Sequence, residues 1–449
     1  MIKFDTKIFY KSVFMLVVPI AFQNLINVGV QVTDVFMLGV VSEVVLSGAS
    51  LAGQVSFILN LILFGLTSGA AVLASQYWGK GDLKSIEKIM GITLRSALGI
   101  GVVFVIFTFV FPENIMKIFS NEKLVIDEGI KYLRIICFSF VFTSFTMVYL
   151  NIMRSLEKVL VATIIYSTSL VVNIFLNTIL IFGFFGIEPM GIRGAAIGTL
   201  VARIVETAIV LIYNFKFNKV IKFRLRVLIE KDKVLLGDFV KYSLPVVVNE
   251  LLWGAAMAVS AAILGHLGSA AAASSSVVQV TRQLAMILSF GVASATAIML
   301  GKVIGENKIE LAKIYAAKFM KISIFTGLLA SVAVLLALPV TLNVLNLSQV
   351  AKEYLFFMML IMTYYVFLQS FTCTGIVGVF RAGGDTKMGL VADVTTMWLG
   401  SVIFGFLAAY VFKFSVPLVF VILMADEVLK LPIVIWRFKS YKWLNNVTR

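Results

Sequence analysis

Long apolar runs separated by short polar joints make up nearly the whole chain. Twelve can be traced, at about 13–40, 50–78, 90–112, 130–153, 160–185, 192–215, 239–265, 270–300, 315–345, 354–380, 388–412 and 416–436. A helix needs roughly 20 apolar residues to cross a bilayer, and the pattern predicts twelve such crossings. The first run, VFMLVVPIAFQNLINVGVQVTDVFMLGV, is not uniformly apolar. It carries Gln23, Asn24, Asn27, Gln31 and Asp34. At ~100° per residue these five fall within an arc of roughly 100° on a helix. An unpaired polar group facing lipid costs several kcal/mol. The stripe therefore predicts a neighbouring helix or a water-filled cavity.

Composition agrees with the pattern. The 449 residues are 60% hydrophobic and 14% charged, against about 25% charged in soluble domains. The net charge of +15 does not point to nucleic acid, because the basic residues sit mainly between the apolar runs. Cys137 and Cys373 lie within apolar runs and His266 is the sole histidine. No disulfide spacing, zinc motif, histidine triad, Walker motif or nucleophile elbow is present, which leaves an enzyme or an ATP-driven pump without support. The start of the chain is read as an uncleaved first span, since its apolar run is too long for a signal peptide.

Lysine and arginine set the expected orientation. With the N-terminus in the cytoplasm, the inner segments hold Lys3, Lys7 and Lys11, then Lys80, Lys84 and Lys88, then Arg154 and Lys158. A basic central loop that includes Lys222 follows, and later Lys302 to Lys321, Arg381, Lys387 and the C-terminal cluster. The outer segments hold only Lys117, Lys123, Lys131, Arg193, Lys352 and Lys413. Both termini are expected in the cytoplasm.

The central loop divides the runs six and six. A shift of 226 residues (245 less 19) lays Pro19 on Pro245, Gly39 on Gly265 and Gly79 on Gly305. This predicts two homologous six-helix lobes related by pseudo-two-fold symmetry, an all-α integral membrane fold. The boundaries are an N-lobe at 1–215, a cytoplasmic linker at 216–238 and a C-lobe at 239–449. The same shift places Asn24, Asn27, Gln31 and Asp34 on Glu250, Trp253, Met257 and Ser260. Each lobe thus opens with a helix bearing one carboxylate on an equivalent face.

Buried acids in a membrane are retained for a reason. Asp34 reads either as an ion-coupling carboxylate, binding a proton or sodium, or as a structural acid hydrogen-bonded to other spans. Glu250, five residues after Pro245, reads the same way. Ser169, Asn173 and Asn177 share a face of the fifth span, as ion-site ligands or as interhelical glue. Thr199, Arg203 and Glu206 share one of the sixth, the last two as a structural ion pair. Trp253 and Met257 suit a flat cationic or aromatic ligand, and equally suit packing. Gln279 and Arg282 share a face of the eighth span, where Arg282 is a candidate partner for Glu250. Gln369 lies on the tenth span with Tyr365 and Thr372. Asp393 reads as interfacial, and Asp426 with Lys430 as a structural i,i+4 pair.

The chain resembles the multidrug and toxic compound extrusion (MATE) family of the MOP flippase superfamily. The resemblance rests on DVFMLG at 34–39, on VNIFLNTILIFG at 172–183 followed by GIRGAAIGT at 191–199, and on RAGGDTK at 381–387. It implies twelve spans in two lobes, alternating access, and export of organic cations in exchange for protons or sodium. It carries coupling roles onto Asp34, Glu250 and Asn173, and a site role onto Thr199. Many members have an acid where this chain has Asn177, and some have one in the tenth span, where Gln369 stands here. The resulting expectation is a secondary antiporter with Asp34, Glu250, Asn173 and Asn177 handling the ion. Gln31, Asn27, Trp253, Met257, Thr199, Gln279, Arg282 and Gln369 would contact substrate. No cofactor or metal is expected beyond a sodium site at Asp34 or Glu250. The expected setting is a monomer in the plasma membrane, in contact with lipid and not with nucleic acid. The alternative is a lipid-linked oligosaccharide flippase of the same superfamily, which would need several basic residues facing its cavity.

Overall fold

The computed structural model describes residues 5–221, 223–345 and 347–449, so Lys3 and Lys222 of the basic pattern lie outside it. No β-strand occurs among the described residues. The helices are α1 (Thr6–Val41), α2 (Glu43–Lys80), α3 (Leu83–Val110), α4 (Pro112–Phe119), α5 (Lys123–Ile136), α6 (Ser139–Ser155), α7 (Val159–Phe182), α8 (Ile192–Ile212) and α9 (Lys233–His266). They continue as α10 (Ser269–Ala285), α11 (Ile287–Gly305), α12 (Ile309–Val344), α13 (Gln349–Cys373), α14 (Thr386–Val394), α15 (Ile403–Phe406), α16 (Val416–Leu423) and α17 (Asp426–Lys439). In a bilayer core only helices and closed barrels satisfy the backbone, and this chain takes the helical solution.

Ten of the described helical stretches are long and apolar enough to cross a membrane, and α5 with α6, bent by 53°, make an eleventh. Three expected runs are not straight rods. The fourth bends between α5 and α6, the eighth breaks at Met286 between α10 and α11, and the last breaks between α16 and α17. That last break falls beside Asp426 and Glu427, which enter the first turn of α17 and favour a helix start there.

Helix α12 shows how membrane helices invert the soluble pattern. Phe325, Leu328, Val332 and Leu336 are exposed, while Ser323, Thr326, Ala330 and Val334 are buried. The exposed row is apolar because its solvent is lipid. The buried hydroxyls join α12 to α13: Ser370 donates to the Ser323 carbonyl at 2.8 Å, and the Thr326 and Ser370 hydroxyls lie 3.1 Å apart. Gly327 permits this approach, since a Cβ there would stand 2.9 Å from the Phe367 carbonyl oxygen.

The chain forms two compact units. One holds the stretch up to Ala21, Ala71–Gly81 and Lys241–Arg449; the other holds Phe22–Ala70 and Asp82–Val240. The first unit's core contains Met358, Met359, Met362 and Tyr365 of α13 with Val419 and Phe420 of α16. In the second unit α7 ends at Gly183, whose left-handed conformation (φ 80°) caps the helix. Helix α8 then packs back closely on α7, with Gly194 against the Leu180 backbone.

Candidate functional site

Each unit places acidic side chains among apolar helices and binds them differently. In the unit built on Phe22–Ala70 and Asp82–Val240, Gln23 is fully buried and acts as an anchor. Its amide donates to the Val159 carbonyl at 3.0 Å and to the Thr163 hydroxyl at 2.7 Å. Farther along α1, Asp34 Oδ1 accepts from Asn177 Nδ2 at 2.7 Å. Asn177 Nδ2 also reaches Asn173 Oδ1 at 3.3 Å, and Asn173 Nδ2 reaches Thr199 Oγ1 at 3.2 Å. A run of amides and a hydroxyl therefore links Asp34 to α7 and α8. The i,i+4 spacing of Asn173 and Asn177 puts both on one face of α7. Asn177 Oδ1 is buried without a hydrogen-bond partner among the described residues and lies against Gly198 of α8. The absent side chain at Gly198 is what makes room for this amide.

Asp34 is half-buried and has no ion pair among the described residues. The nearby cation, Arg203, is committed to Glu206 at 2.5 Å, and Ser169 donates to the same Glu206 oxygen at 3.0 Å. Asn27 and Gln31 share the helix face of Asp34 but are exposed and stand outside its hydrogen-bond run. A cavity of about 590 Å³ in this unit is lined by Glu128, Lys131 and the 187–193 segment, and not by Asp34, Asn173, Asn177 or Thr199.

In the other unit Glu250 Oε1 is paired with Arg381 Nη2 at 2.8 Å, and both side chains are largely buried. The expected partner, Arg282, is elsewhere. Its Nε donates to Gln279 Oε1 at 3.0 Å and its Nη1 to Gln369 Oε1 at 3.3 Å. Gln279, Arg282 and Gln369 are thus one group, tying α10 to α13. The actual partner, Arg381, opens RAGGDTK, and a π-helical stretch, Thr374–Phe380, leads directly into it. π turns rotate the side chains that follow and recur at functional sites. Trp253 and Met257 are half-buried and pack with Met397 and Val402. Trp398 Nε1 donates to the Leu252 carbonyl at 3.1 Å.

Asp393 is not a free interfacial acid. Its Oδ1 lies 2.8 Å from Lys430 Nζ and its Oδ2 accepts from Asn249 Nδ2 at 2.9 Å. Lys430 also contacts Glu427 Oε1 at 3.1 Å and Asp426 Oδ2 at 3.5 Å. Thr372 donates to Glu427. The i,i+4 spacing of Asp426 and Lys430 is legible in the sequence, whereas the part played by Glu427 is not. Its only signal there is a second acid beside Asp426 inside an apolar run.

Buried carboxylates held by amides, hydroxyls and basic side chains within long apolar helices define a class, the polytopic membrane protein with buried ionisable sites. Comparison with known proteins narrows it. The MatE family matches residues 19–179 and 245–407, two stretches whose starts are 226 residues apart (245 less 19). The chain is 24% identical over 349 residues to the probable multidrug resistance protein YoeA of Bacillus subtilis, covering 76% of this chain and 74% of that protein. It is 25% identical over 302 residues to the probable multidrug resistance protein NorM of Thermotoga maritima, covering 67% of this chain and 64% of that one. Its fold is that of a MOP superfamily transporter from Pyrococcus furiosus, with a TM-score of 0.88 at 18% identity over 96% of each chain. The chain belongs to the MatE family. It is a multi-pass membrane transporter of the two-lobe, twelve-span fold, with the general role of efflux and without enzymatic activity. The repeat shift read from Pro19 and Pro245 coincides with the starts of the two family matches.

Proposed function

We propose that the protein exports organic cations by antiport against a proton or sodium ion, with Asp34 as the principal coupling carboxylate. The carrying observation is the contrast between the two first-helix acids. Asp34 has one amide donor at 2.7 Å and no ion pair among the described residues, whereas Glu250 is held by Arg381 at 2.8 Å. An acid without a fixed counter-charge is available to an ion or a cationic substrate in turn. Ion binding at Asp34 neutralises it and weakens its hold on the cation, and linkage makes the effect reciprocal. Asn173, Asn177 and Thr199 orient the carboxylate, while Asn27 and Gln31 contact substrate on the same face of α1. Trp253, Met257, Gln279, Arg282 and Gln369 make the second set of substrate contacts, and Glu250 is a secondary ion site. The names of the related multidrug resistance proteins support a drug-like substrate class. Arg282 and Arg381 are both engaged by neighbours, which disfavours a flippase for an anionic headgroup. The protein is taken to act as a monomer in the plasma membrane, surrounded by lipid, with both termini cytoplasmic.

Uptake of a fluorescent cation into inverted vesicles tests this, with a proton or a sodium gradient imposed separately. Wild type is expected to respond to one gradient, and Asp34→Asn to lose at least tenfold of that response. Full gradient-driven transport in Asp34→Asn would overturn the assignment.

A further inference from the structure

The charge cluster around Lys430 is too acidic to be a closed ion-pair network. Lys430, Asp426 and Glu427 are 4%, 2% and 3% exposed, and Asp393 points into the same group from α14. Three carboxylates face one ammonium, so full ionisation would leave two buried negative charges uncompensated. Leaving a buried charge uncompensated is strongly destabilising. The start of α17 offers only about half a positive charge to Asp426 and Glu427.

Hydrogen bonding is divided unevenly over the three carboxylates. The three N–H groups of Lys430, the Asn249 amide and the Thr372 hydroxyl face six carboxylate oxygens. Asn249 is itself 4% exposed, directs its Nδ2 at Asp393, and leaves Oδ1 buried with no donor. Asn249 Oδ1 is thus a further buried acceptor beside the group, without a donor among the described residues. Of the other charged or titratable groups nearby, Glu250 is paired with Arg381 and Arg282 is bound to Gln279 and Gln369, while Tyr364, Tyr365 and Cys373 of α13 make no hydrogen bond to the cluster among the described residues. The ammonium already occupies the centre of the group, where a metal cation would sit.

We infer that the Asp393–Asp426–Glu427–Lys430 cluster is a proton-binding site, with the proton carried on Asp426. Asp426 is the chosen carrier because its one side-chain contact among the described residues, Lys430 at 3.5 Å, is the longest of the three. Asp393 and Glu427 each hold a closer contact to Lys430 and a second donor, Asn249 or Thr372. Protonation removes one of the two uncompensated charges and gives Asp426 an O–H donor. This proposal does not rest on the antiport reading, because its test reads protonation and not transport.

Infrared difference spectra of the full-length protein in lipid nanodiscs, between neutral and alkaline buffer, report protonated carboxyl groups directly. The expected wild-type spectrum has a deuterium-sensitive carboxylic C=O band that Asp426→Asn removes, Asp426→Glu retains, and Asp34→Asn leaves in place. Glu427→Gln relieves one negative charge and is expected to weaken the band at the same neutral pH, which keeps the test usable if Asp426→Asn does not fold. A wild-type spectrum without the band, or one unchanged in Asp426→Asn or Glu427→Gln, overturns the proposal. Replacing choline chloride by sodium chloride at constant pH should leave the band unaltered, and its loss on adding sodium would assign the site to a metal cation instead.

Discussion

Asn177 Nδ2 lies 2.7 Å from Asp34 Oδ1, so an amide on α7 donates to the carboxylate of α1. A hydrogen bond to a charged group contributes about 1.5–3 kcal/mol, against about 0.5–1.5 kcal/mol for a neutral one. Asn177→Leu should therefore destabilise the protein most in alkaline buffer, where Asp34 is ionised, and less as Asp34 takes up a proton. Thermal unfolding of wild type and variant across pH measures the difference, and a deficit independent of pH would mean that the amide does not sense the charge.

Gly198 keeps the Asn177 amide in place, because a Cβ there would collide with Asn177 Oδ1. Gly198→Ala is expected to cost about 1–3 kcal/mol through overpacking and to loosen Asn177 from Asp34. Much of that cost should vanish in an Asn177→Ala background, so a double-mutant cycle should give a coupling of at least about 0.5 kcal/mol. Additive costs would place the strain elsewhere.

Glu250 and Arg381 are each other's counter-charge at 2.8 Å. Removing one partner of a buried pair typically costs about 3–5 kcal/mol, because the other is left uncompensated. Arg381→Gln and Glu250→Gln should each lower the unfolding temperature sharply, while the double variant should be more stable than Arg381→Gln alone. Arg282→Gln should leave the effect of Glu250→Gln unchanged, since the two do not pair.

Asp232 caps the start of α9, accepting from the Val234 and Leu235 amides at 3.1 and 3.0 Å, with Lys88 3.0 Å away. The Leu235 amide, then the Lys88 ammonium, hold its carboxyl below the ordinary 3.8. A depressed folded value means that the contribution is complete above the unfolded value and is lost as pH falls through the folded one. Asp232→Ala should cost about 1 kcal/mol at neutral pH, chiefly from the lost cap. That cost should shrink below about pH 4, where the unfolded carboxylate begins to protonate. The half-exposed Lys88 pair adds little, so Lys88→Ala should be near neutral. Denaturant titration of the two variants at two pH values distinguishes cap from ion pair.

Much of this protein was determined by the sequence alone. Twelve apolar runs follow from the length and polarity that a membrane imposes on a spanning chain, and the shift from Pro19 to Pro245 is read from matching residue identities. Asp34, Asn173, Asn177 and Thr199 were legible for a related reason: a polar residue within an apolar helix must find a partner, and its helical face says on which side. Which partner it finds depends on how helices distant in sequence pack, and that was decided only by tertiary structure. Glu250 meets Arg381, which follows the π stretch, and not Arg282, which is held on Gln369 of α13. The i,i+4 spacing of Asp426 and Lys430 suggested a closed pair. Packing adds Glu427 from the same helix and Asp393 from α14, and so turns a local pair into a buried cluster with an excess of acid. Spacing reports only contacts within a helix, and the net charge of a buried site is summed over every helix that reaches it.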